Sequence, residues 1–261
     1  MTETDKDEPE YYNNSPLDQF NIADILSLEI LQNIRVSITN MALYLVTASF
    51  VTLSYNMLNN NYYRLVCDKF SSAQESIYTT VYSIVINQIN EHKGQVFFPF
   101  IYSLFIFILS NNLVGMIPYN FASTSHFIVT FSLSVMIVLG ATFLGLIIHT
   151  FKFFSLLVPA GCPLALLPLL VMIEFISYIA RNVSLGLRLA ANILSGHMLL
   201  NILSGFTYNI MKSGYLYFII ALFPLGFIIA FSSLEVGIAF IQAQVFVVLS
   251  CSYIRDGLNL H

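Results

Sequence analysis

Charge is scarce in this chain. Asp, Glu, Lys and Arg make up 9% of its 261 residues against 57% hydrophobic, and the mean hydropathy is +0.77. Soluble domains carry roughly 25% charged residues, so the composition excludes one and indicates a polytopic membrane protein. Tryptophan is absent, and Cys67, Cys162 and Cys251 are odd in number and widely spaced. They lack the close pairs that metal and redox sites use and read as packing residues, so neither a metal nor a cofactor is expected. No HExxH pair occurs, which argues against a metal-dependent intramembrane hydrolase. No internal repeat is visible either, and repeats are what self-contained secondary transporters are built from. The short alternating segments of a transmembrane barrel are missing. Nothing at the start resembles a secretory signal.

What the sequence does contain is a series of long apolar runs, which predicts an all-α polytopic membrane protein. About five membrane helices are expected, plus an amphipathic surface helix, with the last two helices long and strongly tilted as an antiparallel hairpin. Residues 1–14 form an acidic extension, expected to be disordered or a removable propeptide. Eight of the fourteen acidic residues precede the first span, which argues against a nucleic-acid partner. The rest, 15–261, reads as a single membrane domain, with peripheral and spanning helices over 15–162 and the hairpin over 163–261.

In order, a short helix capped by Ser15 or Asp18 is expected over 15–26. A first span over 39–58 is closed by Asn59, Asn60 and Asn61. Residues 68–91 place Ile77, Val81, Ile84 and Val85 at helical spacing among polar residues, the pattern of a helix lying on the membrane surface. Spans over 97–117, ended by Pro118, and over 122–150 follow, then a turn at Pro159, Gly161 and Pro163. The runs 163–206 and 215–253 are far longer than a perpendicular crossing needs, so they must tilt, bend or break; a loop over 207–214 and an interruption near Pro224 are expected. Arg64, Lys69, Lys93, Lys152 and Arg255 fall on one side of this topology, Lys6, Arg35 and Lys212 on the other. The bias makes the first side the inside, with the N-terminus outside and the C-terminus inside.

Residues 170–200 hold the intramembrane charge: Glu174, Arg181, Arg188 and His197. A charge at the bilayer centre costs at least ~2.5–3.5 kcal/mol, so one that is kept faces a water path or a partner. Steps of seven residues shift direction on a helix by only about −20°, so Glu174, Arg181 and Arg188 share a stripe with Asn192 and Ser195 nearby, while His197 points away. The last helix carries Glu235, Gln242, Gln244 and Asp256. In an antiparallel hairpin one register levels His197 with Glu235, Arg188 with Gln242 or Gln244, and Glu174 with Asp256. Two ionisable clusters then lie at different depths with a permanent cation between them. Carboxylates and imidazole can pass protons, whereas arginine, with a pKa above ~12, cannot. Arg188 would attract a passing carboxylate and keep protons from running straight between the clusters. No such mobile carboxylate is in this chain, so a partner must bring it.

Blander readings stand beside these. Arg188 could be a structural cation paired with Glu174 or a lipid headgroup. Arg181 could form an ion pair with Glu174 or anchor at the interface, and His197 could be a satisfied interior histidine. His92, His126, His149 and His261 fall near span ends, where wetting by the interface is expected. Gly186, Ala190, Ala191 and Gly196 suit close approach to another helix.

The segments SLGLRLAANILSGHMLL and LEVGIAFIQAQVFVVLSCSYIRDGLNLH resemble subunit a of the F-type ATP synthases, specifically the mitochondrial form. SPLDQF, NNLVGMIPY, VPAGCPLALLPLLVMIEFISYIAR and the final LH are similar to the same family, fungal members especially. The resemblance implies that Arg188 is the essential arginine facing a rotating c-ring, with Asn192 and Gln242 polar residues beside it. His197 and Glu235 would line the half-channel from the intermembrane space, and Glu174 and Asp256 that from the matrix. It further implies a multi-pass protein of the mitochondrial inner membrane, with the c-ring, other membrane-sector and peripheral-stalk subunits and the lipid bilayer as partners. The implied work is proton transport within a synthase, with no catalysis by the chain alone.

Overall fold

The computed structural model describes residues 20–31, 34–59, 69–117, 120–150, 152–153 and 166–258. The acidic extension 1–14, the caps Ser15 and Asp18, Arg64, Pro118, the turn from Pro159 to Pro163 and His261 lie outside the described residues.

The described chain opens on a hairpin. Strand β1 (Asp24–Leu31) pairs antiparallel with β2 (Ile34–Thr39), with Glu29 opposite Arg35 and Asp24 opposite Thr39. This corrects the helix expected over 15–26 in its last residues. Ile34, Val36 and Ile38 alternate in sequence with Arg35, Ser37 and Thr39, a period of two that favours extended chain, and the run before it supplies a partner.

Helix α1 (Asn40–Asn59) follows directly, its first turn closed by the Thr39 hydroxyl, which accepts from the Ala42 N–H at 3.4 Å. Its outer side carries Val46, Phe50, Leu53 and Met57, all largely exposed and suited to lipid. The surface helix is α2 (Lys69–Ile89), which turns Val81, Val85 and Ile89 inward while its Ser and Thr residues face out. Asn90, at φ 99°, breaks it from α3 (Glu91–Gly115). The next span starts later than expected. Residues Ser123–Ser125 form a 3₁₀ turn before α4 (Phe127–His149) begins.

The two overlong runs remain helical throughout. Helix α5 (Leu167–Lys212, 46 residues) runs through the expected loop over 207–214, leaving only Ser213 and Gly214 before α6 (Tyr215–Leu258, 44 residues). Gly214 takes φ 149°, a conformation that suits glycine at so tight a reversal. Pro224 sits inside α6 without ending it, because one lost backbone bond is tolerable where neighbouring groups can satisfy the freed carbonyl. At 1.5 Å per residue α5 is about 69 Å long, more than twice the ~30 Å hydrocarbon core, so it must run obliquely. Among the described residues four helices are long and apolar enough to cross a membrane, within α3, α4, α5 and α6. Helix α1 is the further membrane helix of the sequence reading.

The core lies where α2, α3 and α4 pack on the inner faces of the long pair, around Phe105, Ile108, Leu185, Leu189, Phe246 and Val247. Close approach of α4 to α5 is permitted by Gly186. A Cβ there would stand 3.1 Å from Phe131 Cα and from the Thr130 carbonyl, both backbone atoms that cannot swing aside. Gly186→Val is therefore expected to force α4 off α5 and cost about 1–3 kcal/mol, the range for overpacking, read as earlier thermal disassembly of the purified complex. An unchanged melting profile would show that the two helices can separate freely.

Candidate functional site

Helices α5 and α6 form an antiparallel pair that is mostly outward-facing. Only 11% of the most apolar stretch of each is buried, against 39% for α3, so this pair presents surface to lipid or to a partner. Their inner faces carry a ladder of polar contacts. Nearest the Ser213–Gly214 reversal, His197 Nε2 stands 3.9 Å from Glu235 Oε1, with both side chains largely buried. Glycine at 196 makes room for this carboxylate, whose Cδ would lie 2.7 Å from a Cβ added there. Further along, Asn192 Nδ2 donates to Gln242 Oε1 at 3.0 Å. At the far end Arg181 Nη1 lies 4.0 Å from Asp256 Oδ2, and Arg255 Nε stands 3.8 Å from the other oxygen of the same carboxylate.

Arg188 behaves differently from all of these. It is exposed, and its Nη2 donates to Ser184 Oγ on its own helix at 3.4 Å. Ala191 and Ser195, one and two turns on, are exposed beside it, so the cation stands on a face of small residues. On α6, Gly226, Ala230, Ser233 and Gly237 are likewise exposed, and nothing lies within 4 Å of a Cβ added at Gly226 or Gly237. Such a surface admits close approach of another helix.

Residues that the sequence register sets at one level do not all meet. Asp256 meets Arg181 rather than Glu174, two turns away, and Glu174 is half-buried with no hydrogen bond or ion pair among the described residues. Side chains on a helix lean toward its N-terminus, so on antiparallel helices residues at one level can lean apart. Glu174 leans beyond Asp256, whereas Arg181 and Asp256 lean together. Gln242 bonds to Asn192, not to Arg188.

Several polar residues that the sequence reading left unassigned also pack here. Ser134 on α4 donates to the Asn182 carbonyl at 2.8 Å and also bonds the Asn182 side chain. Asn112 Nδ2 reaches the Ala239 carbonyl at 3.4 Å, and Ser123 Oγ reaches Asn111 Oδ1 at 3.2 Å. His126, expected near a span end, turns its Nε2 inward, where it is buried, and its ring stacks on Phe121 at 5.1 Å between centroids. The signal that could have found this group is the density of Asn, Ser and Thr in 111–134, unusual between two apolar spans.

The family profile described as ATP synthase A chain matches residues 38–255, nearly all of the described chain. The chain belongs to that family. Among curated relatives, ATP synthase subunit a of Emericella nidulans is 69% identical over 249 residues, covering 95% of this chain and 97% of the relative. That of Neurospora crassa is 67% identical over 247 residues, covering 95% of each. A more distant one, from Wickerhamomyces canadensis, is 47% identical over 250 residues, covering 95% of this chain and 98% of the relative. As an ATP synthase A chain, this is a multi-pass membrane subunit of the proton-translocating sector.

Proposed function

We propose that this chain forms two offset aqueous half-channels that protonate and deprotonate the carboxylates of a rotating c-ring, so coupling proton flow to ATP synthesis. The observation that carries this reading is the contrast along α5: the His197–Glu235 pair turns inward and Arg181 meets Asp256 across the hairpin, while Arg188, between them in sequence, bonds only within its own helix and stands on an outer face of small residues. A proton arrives from outside through His197 and Glu235 and neutralises a ring carboxylate, which can then enter lipid as the ring turns. After nearly a full turn the carboxylate meets the other half-channel and loses its proton toward Glu174 and Asp256. Asn192 and Gln242 sit beside the barrier as a neutral bonded pair.

The proposed setting is the mitochondrial inner membrane, with the N-terminus toward the intermembrane space and the C-terminus toward the matrix. The fold supports that polarity by bringing basic residues together at one end. His149 Nε2 lies 3.1 Å from the Leu258 carbonyl and Arg255 Nη1 reaches Gln88 Oε1 at 3.4 Å, so Lys93, Lys152 and Arg255 share this end. The acidic residues 1–14 would then lie on the opposite side, as an extension or propeptide outside the mechanism. Other membrane-sector and peripheral-stalk subunits complete the proposed assembly.

Cross-linking in the assembled complex tests the outer face. A cysteine at Ala191 is expected to cross-link readily to cysteines placed beside the ring carboxylate, while one at buried Leu189 is not. Capture at Leu189 and none at Ala191 would place the ring on another face and overturn the proposal.

A further inference from the structure

Among the described residues no hydrogen bond fixes the His197 ring: its Nε2 is buried without one, and the Glu235 carboxylate stands 3.9 Å away. A relay histidine must keep one nitrogen toward its partner, and a bond at the other nitrogen usually does this. Here the ring is met by another ring. Phe20 lies T-shaped against His197, with 6.4 Å between centroids and 75° between planes, inside the range in which such pairs attract. Phe20 closes the SPLDQF segment and is half-buried, while residues 21–27 after it are exposed. Ile22, Ile25 and Leu26 in that stretch stay more than half exposed, so the inward contact is made by the aromatic ring and not by apolar residues at large.

The segment that carries Phe20 is itself held. Asn40, the first residue of α1, grips it twice: its backbone N–H donates to the Ala23 carbonyl and its Nδ2 to the Asn21 carbonyl, each at 3.1 Å. The pairing of Asp24 with Thr39 continues the hold. Helix α1 is fixed in turn, because Tyr44, one turn beyond Asn40, stacks on Phe121 at 5.8 Å and Phe121 stacks on His126. Phe20 therefore reaches His197 from a frame built on α1 and the α3–α4 turn, not from the long helices that bear the site. We propose that Phe20 is a positioning residue for proton transfer at His197: strapped to the start of α1, its ring packs the imidazole so that Nε2 stays aimed at Glu235. The inference deepens the half-channel reading and rests on His197 taking part in it. Without the aromatic ring the imidazole is free to turn about its Cβ–Cγ bond and spends part of its time misaligned.

The test is ATP synthesis driven by an imposed proton gradient in reconstituted complex, with Phe20→Leu, Phe20→Tyr, His197→Gln and the double variant Phe20→Leu with His197→Gln compared per assembled complex. Leucine stays apolar but loses the ring, so turnover should fall by about two- to tenfold, the scale of one lost aromatic pair, while tyrosine keeps the ring and restores most of it. His197→Gln should slow turnover by itself, and adding Phe20→Leu to it should cost less than about twofold more, because no imidazole is left to orient. If the leucine complex does not assemble, Asn40→Ala takes its place: it removes the Nδ2 bond to Asn21 while keeping the ring, and its loss should likewise vanish in the His197→Gln background. Full turnover in Phe20→Leu with His197→Gln slowed would overturn the positioning role and leave the half-channel reading standing. The same fold-loss from leucine, or from Asn40→Ala, with and without the imidazole would mark a structural anchor of the N-terminal segment and overturn it too. Unimpaired His197→Gln would instead remove His197 from the path, and the inference with it.

Discussion

Replacing Arg188 by alanine is expected to abolish ATP synthesis driven by a proton gradient while leaving the complex assembled. The assembly half of this expectation follows from the geometry. Arg188 is exposed, and its hydrogen bond is to Ser184 one turn back on the same helix at 3.4 Å, so truncation opens no cavity and strands no buried charge. The functional half follows from electrostatics. Each elementary charge that crosses the membrane is worth ~2.3 kcal/mol per 100 mV, and this energy becomes torque only if a proton must leave one half-path on the ring before joining the other. A fixed cation between the paths raises the energy of any proton crossing there and holds an ionised ring carboxylate at the boundary. Without it, protons can run between the paths and the gradient dissipates without synthesis. Passive proton conductance by the mutant complex should therefore persist or rise as synthesis disappears.

Arg188→Lys sharpens the point. Lysine keeps a positive charge, but a desolvated ammonium gives up its proton far more readily than guanidinium does. The lysine complex is expected to retain partial coupling that declines as pH rises, because the charged form is lost upward in pH. Normal synthesis by the alanine variant would remove Arg188 from the mechanism and return it to the role of a structural or interfacial cation.

Much of this arrangement is legible in the sequence because apolar length and helical spacing are local properties. The two long runs, the surface helix with Val81 and Val85 inward, and the facing of His197 with Glu235 all follow from counting residues. What is not legible depends on how side chains lean and on what packs from elsewhere. Arg181 takes Asp256 because the two lean together, which a level-by-level register ignores. His126 reads as interfacial from its position at a span end, yet the turn at Ser123–Ser125 folds it inward onto Phe121. Gly186 and Gly196 both read as small residues for close helix approach; the structure assigns one to the α4 backbone and the other to the Glu235 carboxylate. The hairpin Asp24–Thr39 was hidden because the residues before it carry capping signals for a helix.

The second large effect is expected at Glu235. Glutamine there preserves shape, so Gly196 and the surrounding core need not move, but the side chain can no longer take up and release a proton. General acid–base groups contribute ~10²–10⁴-fold where they act alone; with a neighbouring imidazole and water able to carry part of the traffic, the loss in gradient-driven turnover should be about tenfold or more. His197 at 3.9 Å makes the two residues a unit, so their substitutions should not be additive: His197→Gln added to Glu235→Gln should cost much less than it costs alone. Exchanging the residues, His197→Glu with Glu235→His, keeps an imidazole and a carboxylate within the same gap and should recover more turnover than either single exchange. The gain depends on the imidazole fitting against Gly196, where the native carboxylate already occupies the space an added Cβ would take, which keeps the recovery below wild type. Unchanged turnover in Glu235→Gln across a wide pH range would place the proton path elsewhere. A double mutant no better than the sum of its parts would show two independent polar residues rather than a relay.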